Sequence, residues 1–64
     1  MERTKTLVLK VRPEDEDKAM SCFMYLKEKA QLLWWYWTAK SRTYTVVVTE
    51  ERSRSMNSSM WVIV

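Results

Sequence analysis

Four consecutive aromatic residues, Trp34-Trp35-Tyr36-Trp37, constrain what this chain can fold into more than any other feature. They lie in a run, Leu33 to Ala39, whose content favours a β-strand. A strand points successive side chains to opposite faces of its sheet. Trp35 and Trp37 therefore share one face, and Trp34 and Tyr36 share the other. Both faces of the sheet then need cover, and the chain has only 64 residues to provide it. That length makes one domain, residues 1–64, and a domain so small buries only about 60% of the surface its unfolded chain exposes.

The remaining pattern supplies one covering element. Thr4 to Arg12 alternates, with Leu7, Leu9 and Val11 on one side and Thr6, Val8 and Lys10 on the other, which predicts a strand packed on one face. Pro13 suits a first helical position, where a missing N–H costs nothing. Glu14, Asp15, Glu16 and Asp17 follow at the positive end of the helix dipole, and Lys27 and Lys29 lie near the other end. Ala19, Phe23, Leu26, Ala30 and Leu33 recur at helical spacing, widened by Met20 and Met24, so a helix is predicted from Pro13 to Gln31 or Leu32. Glu14 and Lys18 are spaced as an i,i+4 ion pair. This is the only helix the pattern predicts.

Thr43 to Thr49 reads as a further strand, with Tyr44, Val46 and Val48 on one face and Thr45, Val47 and Thr49 on the other. Lys40-Ser41-Arg42 joins it to the aromatic strand; without Gly or Asn a tight two-residue turn is disfavoured, so a slightly longer loop is expected. Glu50 to Ser59 is polar and reads as an exposed connection, and Met60 to Val64 as a short final strand. The order is β-α-β-β-β. The expected fold is α+β in two layers, a single helix packed on one face of a three- to four-stranded, mainly antiparallel sheet.

Composition excludes several functions. There is no histidine, no glycine and one cysteine, Cys22. Imidazole-based catalysis and metal ligation are ruled out, as are glycine-rich phosphate loops and an internal disulfide. Cys22 has no imidazole to activate it and reads as an inert, packed thiol. A two-layer domain of this size rarely encloses a substrate cleft, so no enzyme activity, cofactor or small-molecule substrate is expected. The longest apolar run, Leu32 to Trp37, is far short of the roughly 20 residues that span a bilayer. With a lone thiol and no signal-peptide pattern, a soluble cytoplasmic protein is expected.

What remains is binding. One helix covers one face, so the sheet is expected to present an aromatic patch on the other, and such patches mark interaction surfaces. The leading expectation is a non-catalytic module that docks on a protein partner or on itself through the helix-free sheet face, anchored by one of the two pairs among Trp34, Trp35, Tyr36 and Trp37 and rimmed by Lys40 and Arg42. A small regulator or inhibitor fits; the architecture, though no motif, is similar to that of short viral or phage proteins that block host machinery. Met1 to Glu28 is formally neutral, and the whole net charge of +3 falls in the second half of the chain. The alternative is therefore a module for single-stranded DNA or RNA, with the same rings stacking on bases and Lys40, Arg42, Arg52 and Arg54 following phosphates. A third arrangement needs no partner: both aromatic faces could serve one enlarged core, with Glu50 to Ser59 folded over the second.

Overall fold

A computed structural model describes residues 3–64. The chain forms β1 (Thr4–Val11), a 3-10 turn (Pro13–Asp15), α1 (Glu16–Glu28), β2 (Leu32–Thr38), β3 (Thr43–Thr49), α2 (Glu50–Ser53) and β4 (Trp61–Ile63). The strands make one antiparallel sheet in the order β2-β3-β1-β4. The expected α+β fold is the one observed: α1 packs on one face of this open sheet. Because β1 and β2 both pair antiparallel with β3, they run parallel to each other, and α1 is the crossover between them.

The core lies between α1 and the sheet, where Leu9, Ala19, Phe23, Val46 and Val48 are fully hidden from solvent. Phe23 sits at its centre, with ring centroids 6.0 Å from Trp35, 5.7 Å from Tyr44 and 5.6 Å from Trp61. Such tilted and edge-on pairs add to what burial of the rings alone contributes. The alternation in β1 and β3 holds as read: Leu9 and Val11 are buried and Leu7 half-buried on the helix side, with Tyr44, Val46 and Val48 beside them.

Several details differ from the sequence reading. The helix begins as a 3-10 turn and ends at Glu28 rather than at Gln31 or Leu32. Ala30 takes a left-handed φ of 60° there, and the amide of Gln31 donates to the Leu26 carbonyl while that of Ala30 donates to Lys27. These two bonds close the helix end in a Schellman motif. Ala30 and Leu33 consequently leave the apolar stripe and are exposed, while Ala19, Phe23 and Leu26 stay in it. Glu14 bonds to Arg12 rather than to Lys18, Arg12 Nε donating to its carboxylate at 2.8 Å. This pairing across two residues holds the carboxyl below the ordinary glutamate range.

α1 is also not the only helix. Thr49 Oγ1 accepts a bond from the Arg52 amide at 3.1 Å and so caps the single turn of α2. The segment after it is not simply exposed: Met56 is 2% exposed and joins the core, and its carbonyl accepts from the Trp61 indole N–H at 2.7 Å. The loop between β2 and β3 spans residues 39–42, as expected longer than two, with Arg42 at a left-handed φ of 55°.

Candidate functional site

A β-bulge just before the aromatic run sets which of its two pairs faces α1. Leu32 pairs with Val48 and Trp34 with Val47, so Leu33 is an extra residue on β2. The bulge shifts the alternation by one and lets Leu32 and Trp35 both face α1. Trp35 is half-buried against Phe23, and Trp37 packs on Tyr44 at 4.8 Å between ring centroids. Trp34 and Tyr36 fall on the opposite face, 57% and 50% exposed. The run divides into the two pairs that strand alternation predicts, and the fold shows which one α1 leaves uncovered: Trp34 and Tyr36. Trp35 packs against the core, while Trp37, on the same side as Trp35, stays 44% exposed.

Nothing in the described chain covers that second face. The segment from Glu50 to Ser59 folds to the helix side, where Met56 enters the core and Arg52 lies beside Cys22 of α1. Strand alternation and register give the uncovered face its lining. Tyr36, Thr45 and Val8 form one row and Trp34, Val47 and Thr6 another, with Lys10 beside Val62 on the β4 side. Thr45 is only 9% exposed although no second layer lies above it. Its cross-strand neighbours on that face are Val8 and Tyr36.

Charge is segregated between the layers. Every described Asp and Glu side chain belongs to a helical segment: Glu14 and Asp15 to the 3-10 turn, Glu16, Asp17 and Glu28 to α1, and Glu50 and Glu51 to α2. The four strands carry no Asp or Glu, only Lys5 and Lys10. Lys40 and Arg42 occupy the β2–β3 loop, at the same end of the sheet as Lys10. At the other end of β2 the Lys27 ammonium stands 5.6 Å from the Trp34 ring and 5.5 Å from the Trp35 ring. The other two expected cations lie elsewhere. Arg52 donates to Gln31 Oε1 at 2.8 Å and Arg54 approaches Glu50 at 4.0 Å, both on α2 and its C-cap.

At the loop end of the sheet, where the strand and helix layers meet, a cleft of about 370 Å³ is lined by Lys10, Val11, Pro13, Glu16, Trp37 and Arg42. Lys10 and Arg42 thus stand at the rim of the sheet and share that end with the Glu16 carboxylate. Beside it, burial pushes the Tyr44 hydroxyl up, and the Glu16 carboxylate adds to the shift. Burial likewise raises the Cys22 thiol, partly offset by Arg52. A raised thiol is a poor nucleophile near neutral pH. Among the described residues, no group of three or more His, Cys, Asp or Glu side chains is placed to hold a metal ion. No helix there is long and apolar enough to cross a membrane.

The sequence reading missed two contributors to the site. Lys27 reads as a charge at the helix terminus, since nothing local shows that it reaches β2. Lys10 is visible in the alternation of β1, but its place beside the loop cations depends on the pairing of β1 with β3. Compared with known protein families, curated proteins and solved structures, the chain matches none.

Proposed function

We propose that the chain is a non-catalytic binding module, a small regulatory or inhibitory protein that docks on a macromolecular partner through the helix-free face of its sheet. One observation supports this reading: Trp34 and Tyr36 stand half-exposed on a face that the other described elements leave uncovered. Amphipathic rings of this type supply much of the energy at interaction surfaces. The lone, raised thiol of Cys22 suits a reducing compartment, and the cytoplasm is the proposed site of action.

A second copy of the chain fits this face less well than a different partner. A second copy of this face would offer no strand carboxylate to pair with Lys10, Lys40 and Arg42 of the first. The test compares macromolecules retained from a cell extract by the wild-type chain, by Trp34→Ser with Tyr36→Ser, and by Met24→Ser with Tyr25→Ser. The last pair is exposed on the outer side of α1 and controls for general stickiness. Partners lost only with the sheet-face variant, at unchanged melting temperature, support the reading. Identical retention by all three chains removes it.

A further inference from the structure

We propose that the occupant of the uncovered face is single-stranded nucleic acid, its bases laid on Trp34 and Tyr36 and its phosphates following Lys27, Lys10, Lys40 and Arg42. This rests on the docking face argued above and names the partner it takes.

Charge complementarity is the first argument. The sheet and its loop between β2 and β3 offer cations and no carboxylate, while every described Asp and Glu sits on a helical segment. An acidic partner approaching the helix-free face meets no repulsive side chain on any strand; Glu16 of α1 shares the end cleft with Lys10 and Arg42. Arg12 does not add to this attraction, because it is neutralised by Glu14 at 2.8 Å and Asp15 at 3.6 Å.

The placement of the rings is the second. Trp34 and Tyr36 are two positions apart on the same side of one strand, hence about 6.6 Å apart along it. β2 is an edge strand, so a flexible chain can run beside it without crossing the rest of the sheet. Cations bracket the two rings: Lys27 stands at the Trp34 end, and Lys40 and Arg42 follow Tyr36 in the loop. Alternating a ring platform with flanking cations is how sheets hold unpaired nucleotides, since every base has a π-face and every linkage an anion. Trp34 and Tyr36 each keep half or more of their surface exposed, which is the area available for stacking. A duplex hides its base faces and cannot use them. An acidic peptide without aromatic side chains could use the cations but has no rings to match Trp34 and Tyr36.

The experiment titrates the full chain with a short oligothymidylate while following tryptophan fluorescence across a salt series. Quenching is expected at low salt, with the logarithm of the affinity falling against that of salt with a slope of about −3 for four neutralised phosphates. Trp34→Ser with Tyr36→Ser should weaken binding about tenfold or more. Lys40→Gln with Arg42→Gln should flatten the slope by about 1.4. Arg52→Gln with Arg54→Gln, a pair distant from the face, should leave affinity unchanged. Three results overturn the proposal: no quenching at low salt, a duplex of the same length binding equally well, or polyglutamate competing as well as the oligonucleotide. If the oligonucleotide fails while extract partners are still lost with the Trp34 and Tyr36 variant, the docking face stands and only its occupant is wrong. If that variant changes neither measurement, the docking face itself is refuted.

Discussion

The indole N–H of Trp61 donates to the main-chain carbonyl of Met56 at 2.7 Å, with both residues buried. This bond ties β4 to the segment that follows α2. It also satisfies a carbonyl that the core would otherwise strip of water. Trp61→Phe keeps a ring against Phe23 but removes the donor, and a buried acceptor left unpaired costs about 1–3 kcal/mol. Urea denaturation should show the midpoint lowered with an unchanged slope. A variant as stable as the wild type would show that the bond contributes nothing.

The two aromatic pairs should behave differently when truncated. Trp35 packs on Phe23 and is half-buried, whereas Trp34 is 57% exposed. Trp35→Ala should cost about 3 kcal/mol, towards the low end for large-to-small changes in a core because the ring is only partly buried. Trp34→Ser should stay within about 0.5 kcal/mol, as surface changes usually do. Thermal melts of the two single variants check this. Equal destabilisation would mean that the division of the run between the two faces is wrong.

The physical origin of that division also sets what the sequence could reveal. Leu7, Leu9 and Val11 on β1 and Tyr44, Val46 and Val48 on β3 were legible because period-two alternation is a local signal. The stripe through Ala19, Phe23 and Leu26 was legible for the same reason at helical period. The bulge at Leu33 was not, because an extra residue inside an apolar run changes no local composition. Nor was the burial of Met56, a lone apolar residue in a polar segment with no period around it. Strand order depends on pairings between residues far apart in sequence, and it decides which cations share an end of the sheet. The site was therefore legible as two ring pairs on opposite faces with Lys40 and Arg42 nearby, while which pair is left uncovered, and the places of Lys10 and Lys27, were assigned only by the fold.

Glu14 provides a pH-dependent check on the turn that starts α1. Its carboxylate accepts from Arg12 Nε, and that bond, aided by the Glu14 amide and the Arg12 charge, lowers its pKa from the ordinary glutamate value. A lowered folded pKa contributes stability that is present above the unfolded pKa and lost as pH falls through the folded one. The group is fully exposed, so the effect on stability is small and the titration itself is the readout. Carboxyl NMR should place the Glu14 midpoint below that of a glutamate in an unstructured peptide, and Arg12→Ala should raise it. An unmoved midpoint in Arg12→Ala would remove Arg12 as the cause.

The chain closes α1 without glycine, and that choice carries a measurable cost. Ala30 occupies the C′ position of the Schellman motif at φ 60°, where a Cβ crowds the backbone. The left-handed conformation costs an L-residue about 1–2 kcal/mol that glycine avoids. Glycine in turn adds freedom to the unfolded chain, which takes back about 0.4–1 kcal/mol. Ala30→Gly should therefore stabilise the fold by somewhat under about 1 kcal/mol, raising the melting temperature by a few degrees in a domain of this size. The side chain of Ala30 is exposed, so its removal leaves no cavity to offset the gain. A lower melting temperature for Ala30→Gly would show that the helix does not end in this geometry, and the entry of β2, with the bulge that sorts its rings, would have to be redrawn.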